Sequence, residues 1–478
     1  MLEGESEQTI QPYLRLFSPR ALPDLGNNIK CGNSLIGPDF YSQKELPFLS
    51  DEDRLRINIF DWNAEYAAPM KAGGFDVLIG NPPYGATIYD PEASFIRNRY
   101  KASTKDLDTY SIFMEKAIEL TKKGALIGMI VPTGWYSGAK FSTLRRIVAQ
   151  RTDPIVFVNL PYDVFKAWVD TTVFVIKKSS SIHKWPRQDN SRVYLKIFPK
   201  RYRIRFKEDF DNNLKSAIFS EWFSSGRDEF LTYSDSFCTT LINRILSQGR
   251  PLGEITDVQR GVTPFELTTW PNHTNSRRAF NGTIKRYIFE DTAPAYIRFD
   301  ESLAEPKPEK YFMGPRILLR ELISRKFRLM AVKVEQDFVT NKSIQSIIPL
   351  AGGPSLNYVL GILNSRLISW YFLCRSNIAQ RDDFPKIVLK EARLLPIKLP
   401  NCSVKEEKIL HDRLVGLAEN LMKLNHEAIH SRFPNEQESL SRHINAIDIQ
   451  IDQLVYQLYG LTDEEIRIVE EATAPAKS

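Results

Sequence analysis

Residues 75–85 read Phe-Asp-Val-Leu-Ile-Gly-Asn-Pro-Pro-Tyr-Gly. The apolar run Phe75 to Gly80 follows the pair Gly73-Gly74 and stops at a stiff polar turn. Its length suits a buried strand of a parallel sheet better than a helix. Ligands of open α/β sheets collect beyond the carboxyl ends of the strands, which puts Asn81 where a ligand would sit. The residue before a proline is kept out of the helical region and each proline fixes its own φ. Asn81 to Pro83 therefore has little freedom to lose on meeting a ligand.

The residue types of the turn suit the gripping of an amino group on a flat aromatic substrate. The Asn81 side-chain oxygen and the Pro82 carbonyl are both acceptors, and together they would take both hydrogens of an exocyclic NH2. The nitrogen is then drawn towards tetrahedral geometry and its lone pair can attack a methyl donor in line, without a general base of tuned pKa. Tyr84 offers a flat face for a base to stack on. A base in a duplex would first have to be flipped out. Asn and Pro are also common in ordinary surface turns, so the tetrapeptide takes its meaning from the strand before it and from its flanks.

Upstream lie NNIKCGNSLIG (27–37) and FDWNAEY (60–66); downstream lie DTYSIFMEKAIELTKKGALIGMIVPTGWYSGAKFSTLRRIV (108–148) and DVFKAWVDTTVFVIKK (163–178). With these segments in this order, the chain resembles the TaqI-like amino N6-adenine DNA methyltransferases. The resemblance is strongest to the methyltransferase and specificity parts of Type IIG restriction-modification enzymes. The four segments resemble that family's third motif, the lead-in to its Asn-Pro-Pro-Tyr motif, its motif V and VI region, and its motif VIII. The resemblance implies an α/β fold: a partial Rossmann-like, doubly wound methyltransferase domain, then a mixed α/β target-recognition domain and a C-terminal helical hairpin. It also implies S-adenosylmethionine as cofactor and double-stranded DNA as partner. By the same resemblance Asn81, Pro82, Pro83 and Tyr84 form the catalytic clamp, Phe165 stacks on the other face of the flipped base, and Asn33 meets the adenine of the cofactor. On their own, Phe165 reads equally as a core aromatic and Asn33 as a turn residue.

The segments also make local sense. Tyr110, Phe113, Met114, Ala117 and Ile118 share one helical face, with Asp108 or Thr109 as cap and Lys122-Lys123-Gly124 closing the end. Ala125 to Val131 then reads as a strand stopped by Pro132, and Thr171 to Ile176 as another.

The family's glycine-containing cofactor turn should lie well ahead of its third motif. A strand-helix-strand unit needs about 30 residues, whereas 28 precede Ile29, and no GxGxxG or FxGxG-like turn occurs in the chain. The expectation is an amino-terminally truncated methyltransferase, weakly active or inactive alone and restored by an N-terminal methyltransferase or nuclease polypeptide carrying the missing motif.

The expected organisation is a methyltransferase region over 1–180, a basic segment and connector over 181–235, a target-recognition domain over 236–402 and a helical hairpin over 403–478. In the last, Leu440, Ile444, Ile447, Ile451, Leu454 and Leu458 recur at four-three spacing, as on a coiled-coil seam. Hydrophobic residues make up 42% of the chain, enough for ordinary cores. The start shows no signal peptide and no stretch is long and apolar enough to span a bilayer, so a cytoplasmic location is expected. Cys31, Cys238, Cys374 and Cys402 are too scattered for a zinc knuckle or a disulfide framework.

Net charge is +6, unevenly spread. Lys184 to Lys207 holds nine Lys or Arg and one acid, Asp189, interleaved with aromatic residues, a pattern suited to phosphates or to a plain solvated face. Arg316, Arg320, Arg325, Lys326, Arg328 and Lys333 lie on two alternating strand-like segments, a pattern that lets one face point at DNA and the other at a core.

Two patterns are set aside. His426-Glu427-Ala428-Ile429-His430 satisfies HExxH but lies at the end of a helical hairpin without a third ligand, so no metal is expected. Glu305-Pro306-Lys307 faintly resembles a nuclease pattern, but its proline disfavours the strand that chemistry needs. Two alternatives to the methyltransferase stay open. One is a non-catalytic DNA-specificity subunit. The other is a protein-glutamine methyltransferase, which also uses Asn-Pro-Pro-Tyr but lacks a long carboxyl-terminal region.

Overall fold

The computed structural model describes residues 28–42, 49–161, 164, 169–198, 202–223, 228–232, 236–324, 327–376, 385–401 and 403–474. The chain divides into two compact units: residues up to Gly128 with Lys177–Ser181, and Met129–Ile176 with Ile182 onward. The architecture is mixed α/β, ending in helices.

In the first unit, helix Asp51–Ile57 opens on a capping box between Ser50 and Asp53. Strand β1 (Phe75–Gly80) follows Gly73 and Gly74, both at positive φ. A Cβ on Gly74 would stand 2.3 Å from the Leu120 carbonyl, so only glycine lets the chain pass there. Beside β1 lies β2 (Thr121–Pro132). Helices Glu92–Arg99 and Thr109–Leu120 close a core of Leu35, Ile36, Phe40, Phe95, Ile96 and Ile112.

The helical face expected at 110–118 forms, with Tyr110, Met114, Ala117 and Ile118 buried. Its end differs from expectation. The helix stops at Leu120, and Thr121, already extended, turns its hydroxyl back to the Ala117 carbonyl at 2.9 Å. Lys122, Lys123 and Gly124 thus belong to β2 rather than to a helical cap, because a β-branched threonine that bonds its own helix favours the extended state beyond it. β1 is also less buried than a doubly covered strand: Val77 is 54% and Ile79 85% exposed. Among the described residues it stands last in its sheet's strand order, with a neighbour on one side only.

In the second unit, β3 (Thr152–Asn159), β4 (Thr171–Lys178), β5 (Arg192–Ile197) and β6 (Lys215–Ile218) run in the order β4-β3-β5-β6. β3 and β5 are parallel, with Val156 opposite Tyr194, and β6 returns antiparallel to β5. Trp135, Phe157, Phe174, Trp222 and Phe230 pack together as an aromatic core, with ring centroids 4.9–6.2 Å apart. Helix Ser142–Arg151 carries Arg145, which is buried and donates to the Trp135 and Gly138 carbonyls at 2.7 Å each.

Further along come β7 (Arg250–Pro251), β8 (Thr256–Arg260), β9 (Ser276–Ala279), β10 (Gly282–Lys285), β11 (Ile288–Asp291), β12 (Ala295–Arg298), β13 (Arg316–Arg320), β14 (Ala331–Val334), β15 (Ile344–Pro349) and β16 (Pro396–Ile397). Four of them make an antiparallel sheet in the order β14-β13-β15-β8, flanked by the two-stranded ribbons β10-β11, β12-β9 and β16-β7. One sheet face, with Val258, Ile317, Leu319 and Ile347, joins the largest core of the chain, together with helices Leu356–Leu363 and Arg366–Arg375.

The expected helical hairpin is present as Lys405–His430 and Pro434–Tyr459, followed by a third helix, Asp463–Ala472. Pro434 takes the first helical position, where its missing N–H costs nothing. Ile451, Leu454 and Leu458 of the four-three seam sit in the largest core, and Ile444 and Ile447 pack against it. No helix among the described residues is long and apolar enough to cross a membrane.

Candidate active site

The turn after β1 is held by its neighbours in the first unit. Pro82 is buried, Asn81 and Pro83 are exposed, and Tyr84 is half-buried. The Thr109 hydroxyl donates to the Pro83 carbonyl at 2.6 Å. Thr109 opens helix Thr109–Leu120, so the rigid helix and the rigid turn are joined directly. The Tyr84 ring meets Tyr110 edge-on, with centroids 6.5 Å apart. Its hydroxyl donates to Asn81 Oδ1 at 3.0 Å. Burial pushes the Tyr84 phenol above its ordinary value, so it stays protonated and able to donate at neutral pH.

This bond sets the amide. A hydroxyl given to Oδ1 fixes which end of the Asn81 side chain faces Tyr84, and an amide oxygen keeps a second lone pair for another donor. Of these contacts, the roles of Thr109 and Tyr110 were not visible in the sequence. Thr109 read as a possible cap and Tyr110 as one more residue on the apolar face; only the fold turns them towards residues 83 and 84. The N-cap is Asp108, and instead of capping it accepts from the Thr104 hydroxyl at 2.8 Å.

Asn33 lies in the same unit, in a turn joined to Ile59 by a parallel bridge. Its Oδ1 accepts from Leu35 N at 3.3 Å, a local turn bond, and the residue is half-buried. Gly32 beside it has room for no side chain, since a Cβ would lie 2.5 Å from the Phe60 ring. Phe60 packs on Trp62, Trp62 on Tyr66, and Tyr66 on Phe75 at the start of β1. Trp62 Nε1 donates to the Ser34 carbonyl at 3.0 Å. The two expected site segments are therefore tied through one aromatic cluster. Phe165 lies outside the described residues.

The family model of the Eco57I restriction-modification methylase matches residues 17–165, and that of the TaqI-like C-terminal specificity domain matches residues 277–397. The chain joins a restriction-modification methylase region to a TaqI-like specificity domain. A provisionally assigned type II restriction enzyme and methyltransferase of Methanocaldococcus jannaschii is 26% identical over 437 residues, covering 90% of this chain and 34% of the relative. The type II restriction enzyme and methyltransferase Eco57I of Escherichia coli is 30% identical over 155 residues, covering 31% of this chain and 14% of the relative. The chain thus spans about a third or less of the length of these relatives. Among solved structures, the Type IIL restriction-modification enzyme MmeI in complex with DNA shares the fold. Its TM-score is 0.52 at 12% identity, over 90% of this chain and 60% of that one.

Residues 81–84 fall inside the methylase match. In the specificity domain, the second basic group does not turn a common face outward. Arg316 is fully buried, with its guanidinium 4.5 Å from the Phe338 ring centroid and donating to the Gly314, Gln336 and Phe338 carbonyls. Arg328 is also buried and donates to the Asn364 carbonyl at 2.6 Å. Burial pushes both guanidiniums down to about 10. These two arginines are structural ties, because their terminal guanidinium nitrogens are taken up by carbonyls and, for Arg328, also by the Asp452 carboxylate; Arg325 and Lys326 lie outside the described residues. Arg187 of the first basic run is likewise buried, held by Asp153, Asp189 and the carbonyls of Ala149 and Thr152. The His426 and His430 rings are tilted by 32° with centroids 4.3 Å apart, and His430 Nδ1 lies 2.8 Å from the His426 carbonyl oxygen.

Proposed function

We propose that the chain forms part of a restriction-modification enzyme that methylates N6 of an adenine flipped out of duplex DNA, with the TaqI-like domain choosing the site. One observation carries this reading: at the end of β1, Asn81 Oδ1 is fixed by the Tyr84 hydroxyl, on a turn that Pro82 and Thr109 hold rigid. Asn81 Oδ1 and the Pro82 carbonyl accept the two amino hydrogens, and the lone pair is freed for attack. Preorganised acceptors of this kind need no reorganisation as charge develops on the nitrogen. Tyr84 stacks on one face of the base, with Phe165 assigned to the other.

The methyl donor of this reading is S-adenosylmethionine, which supplies an electrophilic methyl group on a sulfonium. The turn at Asn33 fits one part of it: among the described residues the side-chain NH2 has no hydrogen-bond partner, so it is available to a purine ring nitrogen. Transfer of that methyl group would form an N–C bond as the C–S bond breaks and would leave the positive charge on the amino nitrogen held by Asn81 and Pro82. That nitrogen would then lose one proton to water, so no side chain need act as base.

The test uses the natural gene product that contains this chain, with labelled S-adenosylmethionine and duplex DNA. Label in N6-methyladenine is expected. Asn81→Ala should lower transfer by about a hundredfold or more while leaving duplex binding largely intact. Label in a methylated cytosine would overturn the adenine assignment, and unchanged turnover would remove Asn81 from the mechanism.

A further inference from the structure

The specificity domain has a cleft whose charge was not evident from the sequence. It occupies about 770 Å³ at the end of the four-stranded sheet and is lined by Arg260, Lys307, Lys342, Lys386, Lys390 and Arg393, among others. Its walls are built from backbone pairing. Ile387 N donates to the Glu321 carbonyl at 2.8 Å and Ile323 N to the Pro385 carbonyl at 3.0 Å, so the 385–387 segment is stitched along 321–323. Arg393 donates to the Val258 carbonyl at 2.6 Å, which pins helix Leu389–Arg393 to β8.

The charges do not cancel. Glu305 takes Arg260 at 2.5 Å and Lys307 at 3.4 Å, and Glu321 takes Lys386 at 3.6 Å. Among the described residues no carboxylate lies within ion-pair distance of Lys342, Lys390 or Arg393, all three of which are exposed. A concave surface carrying an excess of one charge focuses its field and concentrates the opposite charge.

A second feature narrows the ligand. Gln345 lines the same cleft, opposite Arg260 on the neighbouring strand, and is 2% exposed. Its Nε2 donates to the Ile387 carbonyl at 2.8 Å, whereas its Oε1 is buried with no partner. A buried acceptor is normally satisfied, so this one calls for a donor. A fully ionised anion such as sulfate or chloride offers none. A nucleic-acid strand offers both chemistries: phosphates for the cations, and base amino groups for the amide oxygen.

We propose that this cleft seats one strand of duplex DNA, its phosphates on Lys342, Lys390 and Arg393 and a base amino group at Gln345 Oε1. The inference rests on the DNA reading given above and assigns positioning to the lysines and base selection to the amide.

The test measures binding of the natural gene product to duplex DNA over a range of salt concentrations, with an acidic peptide of similar charge as competitor. The double variant Lys342→Gln, Lys390→Gln should weaken binding to all sequences alike and reduce the log–log salt slope by about 2, about 1 per phosphate-contacting lysine. Gln345→Leu should keep the slope and flatten the preference at one base position in a selection from randomised duplexes. Both lysines are exposed, so an unchanged melting temperature will show that the double variant is folded. If the unaltered protein prefers the acidic peptide to DNA, the DNA reading fails and this inference with it. If it prefers DNA but the double variant keeps the full salt slope, the cleft assignment alone fails. An unchanged base preference in Gln345→Leu overturns the role of the amide.

Discussion

Asp452, on the last turns of helix Pro434–Tyr459, ties the carboxyl-terminal helices to the specificity domain, and its removal is the sharpest test of how they are joined. It is 3% exposed and its carboxylate accepts from Arg366 N at 2.7 Å, Arg328 Nη2 at 3.3 Å and Arg366 Nε at 3.3 Å. Arg328 is only 4% exposed, and Arg286 and Arg366 are near enough to raise the cost of its charge. Asp452→Ala leaves that guanidinium without its carboxylate partner, with Asp448 already paired to Arg286, and a helix-opening amide without its acceptor. Removing one partner of a buried pair costs about 3–5 kcal/mol. Asp452→Asn keeps an acceptor for the Arg366 amide and loses the charge, so a smaller loss of about 1–3 kcal/mol is expected. Trp370, buried on helix Arg366–Arg375, reports unfolding here by its fluorescence during urea titration. A loss below about 1 kcal/mol in Asp452→Ala would refute the reasoning, since it would mean that the apolar seam and the neighbouring Arg286–Asp448 pair hold the hairpin without it.

Two further outcomes are expected. Tyr84→Phe keeps the ring against Tyr110 and deletes one neutral hydrogen bond to Asn81, worth about 0.5–1.5 kcal/mol. Turnover should fall about 2- to 13-fold with DNA affinity unchanged; unchanged turnover would show that Tyr84 does not position the amide. The hydrogen bond from Arg187 holds the Asp189 carboxyl well below the usual carboxylate range. A depressed pKa stabilises the fold above the unfolded value of about 4 and loses that contribution as the pH falls towards the folded value. Melting temperature should therefore drop more steeply on acidification below about pH 5 in the unaltered protein than in Asp189→Asn, and equal slopes would contradict this.

Much of the site was legible because it is local. The strand before Asn81, the two prolines and the apolar face of 109–120 are patterns of neighbouring residues, and the backbone obeys them wherever they occur. The ordered flanks at 27–37 and 108–148 were legible for the same reason, and both lie within the matched methylase region. Charge was less legible. Arg187, Arg316 and Arg328 read as surface cations and proved to be buried ties, because a guanidinium has enough donors to satisfy carbonyls far apart in the chain. The polar stretch after residue 208 likewise hides β6 and the aromatic anchors Trp222 and Phe230, whose partners lie upstream at 135 and 157, with Phe219 packed on Phe230.

By itself, then, the amino-acid sequence determined an Asn-Pro-Pro-Tyr turn at a strand end, a helix behind it, an α/β organisation and a helical hairpin at the carboxyl end. Each follows from spacing, from β-branched or apolar periodicity, or from the fixed φ of proline. Tertiary structure alone decided what those parts meet. It brought the Thr109 hydroxyl to Pro83 and set β1 at the end of its sheet. It buried the arginines expected at the surface and gathered Arg260, Lys342, Gln345 and Lys390 from scattered positions into one cleft. A side chain's chemistry is written in its own residue, but its partners depend on where distant segments pack.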